Sequence, residues 1–283
     1  MDNVQIKHRI QIVVVLYKCN ITQSESLQSI EKIKNDLTEL FDLDILVYNN
    51  DSQIKILPHS NHQIYNSPTN SMLVGAYNYA LNLALNKQIK WLLLLDQDTT
   101  LTTQYFEALH TSLSKETTEN TACVAPIITN NGKQLSPVKY SPILGPKWFL
   151  TPASPGIYNC CLFAFNSATL INTSAISSIG GFPTEFPLDD LDICYFYRLY
   201  QKKYTTHVMP STIEHQLSVL DYAKNMTPER YQSILDSDKL MAKEIGTTAQ
   251  IALTIRVLIR AIMQLFSYTK RKYVKQTLKS IVK

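Results

Sequence analysis

Over its first 130 residues the chain alternates short apolar runs with stretches of helical spacing. Gln11 to Leu16 (QIVVVL) is a β-branched run of the kind buried in a parallel sheet. From about Thr22 the spacing predicts a helix with Leu27, Ile30, Leu37 and Phe41 on one face. A second strand is expected over Leu43 to Tyr48, stopped by the turn formers Asn49-Asn50-Asp51-Ser52. A weaker third strand is expected near Ile64-Tyr65, then a helix from Gly75 to Leu85. Trp91 to Leu95 (WLLLL) reads as a fourth strand that ends abruptly at Asp96-Gln97-Asp98, and Cys123 to Ile128 as a fifth. Strands and helices that alternate with short connections predict an α/β fold with a mixed, mostly parallel sheet flanked by helices. The rhythm then changes. Pro137 to Pro155 reads as a proline-rich loop and Ile157 to Phe165 as a strand, with a short helix before Gly180-Gly181. Leu188 to Gln201 reads as a helix with acids at its front, and Thr205 to Met209 as a last strand. Beyond Gln216 every segment has helical spacing, so the expected division is a body over 1–220 and a helical C-terminal extension over 221–283.

Composition fits this reading. In 283 residues, 45% are apolar and 18% charged, which suits a packed core and argues against disorder. The 5 cysteines include no C-x-x-C spacing and read as reduced thiols of a cytosolic protein. Ile157 to Thr184 is uncharged but too polar for a membrane span, and no segment is expected to cross a bilayer. The net charge of +4 conceals an asymmetry: Ile251 to Lys283 holds eight basic residues and no acid, leaving −4 on the rest. Ile251, Ile255, Leu258, Ile259, Ile262 and Leu265 recur at helical spacing there, with Arg256, Arg260 and Gln264 on a separate stripe. A basic amphipathic helix of this kind suits an anionic membrane surface, or packing of its apolar face on the body or a second subunit. The acidic body and the lack of a recognisable motif argue against nucleic acid as a partner.

Candidate chemistry gathers at four places. Asp96 and Asp98 end a strand, where open α/β sheets bind ligands, and two carboxylates there can approach one hard cation; a strand end that caps the next helix is the plainer alternative. Asp189, Asp190 and Asp192, with Arg198 downstream, open a helix, where the helix dipole alone would favour acids. His215 follows the last strand, while the other histidines read as structural. The loop at Asn49 to Ser52 is a turn by default, and a base- or ribose-contacting loop if the sheet binds a nucleotide.

Taken together, the order and spacing of these features resemble the family-two glycosyltransferases of the GT-A fold, and within them a rhamnosyltransferase-like branch of bacterial polysaccharide assembly. The residues carrying the resemblance are Tyr17, Val47 to Ser52, Gly75-Ala76-Tyr77-Asn78, Leu93 to Asp98, Asn166-Ser167-Ala168, Gly180-Gly181-Phe182, Asp189 and Asp192 with Arg198, and His215. Asn49, Ala168 and Cys194 stand where the family usually has aspartate, glycine and glutamate. The resemblance implies an inverting transfer of a sugar, by best guess rhamnose from dTDP-rhamnose, to a hydroxyl of a cell-surface glycan or its lipid-linked precursor; UDP-glucose, UDP-galactose and UDP-galactofuranose are carried on the same frame. It implies Asp192 as general base with Asp189 beside it. A divalent metal, Mg²⁺ or Mn²⁺, would sit at Asp98 and His215. Tyr17, Asn49, Asp51, Asn78, Asp96, Asp98 and Arg198 would contact the donor. The expected location is the inner face of the cell membrane, held peripherally by the C-terminal basic helix. A non-catalytic membrane-associated scaffold is the competing reading.

Overall fold

The computed structural model describes residues 6–58, 61–214, 226–267 and 269–282, and its contacts divide the chain into two units. The first comprises Met1–Val138 and Pro152–His215; the second comprises Lys139–Thr151 and Gln216–Lys283.

The first unit is built on a nine-stranded sheet. Its strands are β1 (His8–Leu16), β2 (Phe41–Asn49), β3 (Gln63–Asn66), β4 (Trp91–Asp96), β5 (Thr121–Asn130), β6 (Lys133–Ser136), β7 (Gly156–Tyr158), β8 (Thr169–Asn172) and β9 (Thr205–Glu214). Their order is β3-β2-β1-β4-β8-β5-β9-β7, with β6 beside β5. Strands β3, β2, β1 and β4 run parallel, as do β5 and β9, while β8 is antiparallel to both β4 and β5. The helices are α1 (Glu25–Ile33), α2 (Met72–Asn86), α3 (Thr103–Lys115), α4 (Thr173–Ser178) and α5 (Leu191–Gln201). Both faces of β1 and β4 are buried, which is why their sequences are continuous apolar runs. Ile10, Ile12, Val14 and Leu16 alternate onto the face that meets Leu27 and Ile30 of α1 and Phe106 and Leu109 of α3.

Several expectations are corrected. Phe41 opens β2 instead of lying on the first helix, because α1 gives way to a 3-10 turn at Lys34–Leu37. Helix α3 lies where no element was expected; Thr102 caps it, and Tyr105, Phe106, Leu109 and Leu113 form its buried face. Strand β8 also lies in a stretch read as loop and helix. It is only four residues long, and Asn172 ends it by accepting from the backbone N–H groups of Ser174 and Ala175, so α4 starts at once. The apolar run at 157–165 is not one strand: β7 stops at Tyr158, and a separate short strand at Leu162–Phe163 follows.

In the second unit the helices are α6 (Pro228–Ile245), α7 (Thr247–Leu265) and α8 (Val274–Val282). They meet around Tyr231, whose hydroxyl is 2.6 Å from Thr277 Oγ1 and accepts from Gln264 Nε2 at 2.8 Å. The buried carboxylate of Asp238 on α6 pairs with Lys147 at 2.9 Å, Arg260 at 3.3 Å and Arg256 at 3.9 Å. The two stripes of α7 therefore face opposite ways from the usual soluble helix. Arg256 and Gln264 lie buried with Ala252, Leu253 and Val257, while Ile251, Ile255, Leu258, Ile259, Ile262 and Leu265 are exposed. At 19 residues and a mean hydropathy of 1.3, α7 is long and apolar enough to cross a membrane by length and composition. No segment was expected to pass that test.

Candidate functional site

The parallel register sets the site. Leu16 pairs with Asn49 and Val15 with Asp96, so β1, β2 and β4 end at one edge and deliver Tyr17, Asn49 to Asp51, and Asp96 to Asp98 together. Carboxyl-terminal strand edges are where open α/β sheets bind ligands.

The Asp96-Gln97-Asp98 turn is held from two sides. Ser26 Oγ donates to the Asp96 carbonyl at 2.5 Å and accepts from the Thr99 N–H at 2.9 Å, while Ser24 Oγ donates to the Gln97 carbonyl at 2.9 Å. From the other side Ser167 Oγ accepts from the Asp96 N–H at 3.1 Å and lies 2.6 Å from Thr99 Oγ1. Gln97 reaches back to accept from the Tyr17 N–H at 2.9 Å. With the backbone so engaged, Asp98 is exposed and Asp96 half-buried. Burial, and then the charge of Asp98, push the Asp96 pKa up to about 7. A carboxylate whose proton affinity is raised by a second acid beside it is a place where a cation is favoured, and hard carboxylate oxygens suit Mg²⁺ or Mn²⁺. Among the described residues no group of three or more metal-ligating side chains forms. His215, the second expected metal ligand, lies outside the described residues.

Asp189, Asp190 and Asp192 precede and open α5. Asp190 takes the N-cap in a left-handed conformation with φ 58°, and Asp192 Oδ1 accepts from the Ile193 N–H at 2.8 Å. Asp96 and Asp192 act on a common neighbour. Tyr77 of α2 is fully buried, and its phenol is pushed well above the ordinary range by burial, then by Asp96 and Asp192. Its hydroxyl has no hydrogen-bond partner among the described residues, nor has that of Tyr195, which the Asp192 charge also reaches. Tyr77, Phe182 and Tyr195 follow one another with ring centroids 5.3 Å apart at each step, the first pair tilted and the second edge to face. This aromatic floor carries no signal in the linear sequence beyond ordinary core spacing.

Three expected donor contacts have other work in the structure. Asn78 is a clip: its Nδ2 donates to the Phe182 carbonyl at 2.8 Å, and its Oδ1 accepts from the Phe182 N–H at 2.9 Å. Gly181 packs so close that a Cβ there would lie 2.7 Å from Asn78 Oδ1. Two separate motifs of the resemblance are thus one contact. Asn49 is fully buried; its Nδ2 donates to Asn66 Oδ1 at 2.9 Å and to the Ile54 carbonyl, and its Oδ1 accepts from the Asp51 N–H at 3.0 Å. It shapes the loop on which Asp51 stands. Arg198 pairs with Glu185 at 2.5 Å. Ala168 sits at φ 62°, a conformation that glycine adopts more easily.

No protein-family model matches the sequence, and a search among curated proteins finds no match. Among solved structures, the chain is similar to GalNAc-T7 in its crystal structure with UDP, GalNAc and Mn²⁺. That match has a TM-score of 0.56 and 11% identity, over 89% of this chain. It is also similar to S. aureus TarS 1-349 in complex with UDP-GlcNAc, with a TM-score of 0.51 and 13% identity over 94% of this chain. The fold is that of the GT-A glycosyltransferases. This chain spans 54% of the GalNAc-T7 chain and 74% of the TarS one, and at these identities the likeness speaks for the GT-A fold alone.

Proposed function

We propose that the protein is a glycosyltransferase that moves a sugar from a nucleotide diphosphate to a hydroxyl of a glycan or a lipid-linked precursor, with inversion at the anomeric carbon. The observation that carries this reading is that one acid of each group, Asp96 at the ligand-binding edge of a GT-A sheet and Asp192 at the start of α5, acts on the same buried tyrosine, Tyr77. In the reaction the acceptor oxygen attacks the anomeric carbon opposite the diphosphate, and the bond to the diphosphate oxygen breaks. Asp192 takes the acceptor proton as general base, and Asp189 orients the hydroxyl. The floor of Tyr77, Phe182 and Tyr195 keeps water from beneath the carboxylates, while Asp51 and Tyr17 bound the nucleotide side. Asp98 and His215 would hold a divalent metal, whose chemistry is to offset the charge gathering on the departing diphosphate. The basic C-terminal helices, with the exposed face of α7, would keep the enzyme on the inner surface of the membrane.

Both structural neighbours were solved with uridine nucleotides, whereas the sequence resemblance points to dTDP-rhamnose. A panel of dTDP-rhamnose, UDP-glucose, UDP-galactose, UDP-galactofuranose and UDP-GlcNAc, assayed for hydrolysis and thermal stabilisation with and without Mn²⁺, tests the proposal. Metal-dependent stabilisation and slow hydrolysis of one donor are expected. A flat response across the panel would remove the enzymatic reading in favour of a scaffold.

A further inference from the structure

Beside the end of α7 the second unit carries a groove of about 770 Å³ with an apolar floor of Leu265, Val274 and Leu278. Four cations rim it: Arg271, Lys272, Lys275 and Lys279. The groove follows from the helical spacing. The 3-10 turn at Arg271–Tyr273 and α8 turn Tyr273, Thr277 and Ser280 inward, which leaves Val274-Leu278 and the row Arg271-Lys275-Lys279 on the open side. None of the lining residues is acidic, and among the described residues these four cations pair with no carboxylate. Lys272 lies 5.0 Å over the Tyr273 ring, a contact that leaves its charge in place. An inorganic anion or a nucleic acid would satisfy the rim and leave the floor wet. An uncharged apolar segment would do the reverse. Leu265 also belongs to the open face of α7, so the floor continues onto Ile262 and onto Phe266, which is 87% exposed. The surface of an anionic bilayer offers both layers, phosphate above and acyl carbon beneath. Long basic side chains keep their heads in the first while their stems lie on the second.

We infer that this groove is the docking site for anionic lipid, with Arg271, Lys272, Lys275 and Lys279 on the phosphates and Leu265, Val274 and Leu278 on the upper acyl carbons. The inference rests on the membrane attachment proposed above and divides it into two parts. The uncharged face of α7 supplies affinity for any bilayer, and the groove at α8 supplies the choice of a negatively charged one.

The test sets the full chain against two vesicles, phosphatidylcholine alone and equal parts phosphatidylcholine and phosphatidylglycerol, with binding read by sedimentation over a range of salt. The wild type should prefer the anionic vesicles, and the preference should fade as salt rises. Each cation near an anionic leaflet is worth about fivefold in affinity. Arg271→Gln/Lys275→Gln/Lys279→Gln should therefore lose roughly 10²-fold on the anionic vesicles and stay within about twofold on the zwitterionic ones. Lys32→Gln/Lys115→Gln/Lys202→Gln removes the same charge from the first unit and should leave the preference intact; all of these residues are exposed. Should the groove triple lower the melting temperature, Lys275→Gln alone, with a loss of about fivefold, carries the test. An anionic preference that survives the groove variant, or falls equally in the control, would overturn the groove and leave membrane attachment standing. No binding to either vesicle would overturn both. Binding of polyuridylate that the groove variant loses, without any preference between the vesicles, would overturn the lipid assignment in favour of a soluble polyanion.

Discussion

The contact between Asn78 and the turn at Gly181-Phe182 joins α2, which carries Tyr77, to the segment that leads into the acids of α5, and its energy can be worked from the geometry. Gly181 has φ +88°, and a Cβ there would come within 2.7 Å of Asn78 Oδ1. In Gly181→Ala the backbone conformation costs about 1–2 kcal/mol. The methyl group also drives the amide off Phe182, and two hydrogen bonds at roughly 0.5–1.5 kcal/mol each are lost. The single variant should therefore lose about 2–5 kcal/mol. Asn78→Ala loses the same two bonds but opens the space, so Gly181→Ala made on that background should cost only the backbone term. The coupling between the sites is then about 1–3 kcal/mol, large enough for a double-mutant cycle to measure. Urea unfolding of the wild type, both singles and the double provides it. Strict additivity of the two singles would refute the clip, because independent sites separate within about 0.5 kcal/mol.

Other expectations follow from the same structure. Asp98→Ala should abolish the Mn²⁺ dependence of donor binding, read by calorimetry with metal added or chelated; unchanged metal dependence would dismiss Asp98 as a ligand. Asp238→Asn should destabilise α6 and α7 by about 3–5 kcal/mol, since it leaves three cations facing a neutral group, and hydrogen exchange in those helices would report it. Burial favours the protonated form of Asp238, but Lys147, Arg260 and Arg256 outweigh it and hold the pKa below the ordinary carboxylate range. Its stabilisation is therefore complete above about pH 4 and is lost as the pH falls through the lowered value; the Asn variant should lack that acid-range loss. Ile255→Asp and Ile262→Asp should abolish binding to anionic vesicles without lowering the melting temperature, because both side chains are exposed. Unchanged vesicle binding would return the tail to a packing role. Removing everything after Gly246 is a poorer test, since it strips Arg256 and Arg260 from Asp238.

Strands β1, β2 and β4 were legible because burial on both faces writes itself as unbroken apolar runs, and their ends gave Tyr17, the asparagine loop and the acid pair. Strand β8 was not, since four residues between β4 and β5 leave too short a pattern to separate from the cap that follows. The acids before α5 were visible, but the neighbour that Asp192 shares with Asp96 was not: Tyr77 and Tyr195 are spaced as any core aromatics, and their shared environment arises only in three dimensions. Asn78 and Asn49 show the converse. Both were expected to contact the donor, and in the structure their amides bind the chain's own backbone. On α7 the periodicity was clear, but it could not say which stripe faces inward. That was decided by Asp238, one turn-and-helix away in sequence, which draws the arginines in and leaves the isoleucines out.

The account rests most heavily on Asp192 acting in chemistry and not in binding. The decisive measurement is the turnover of Asp192→Asn set beside its affinity for whichever nucleotide sugar the wild type turns over fastest. Donor affinity within a few-fold of wild type, with transfer reduced by roughly 10²–10⁴, is the expected result for loss of a general base. Turnover equal to wild type, or a fall in rate matched by an equal fall in donor affinity, would contradict the account.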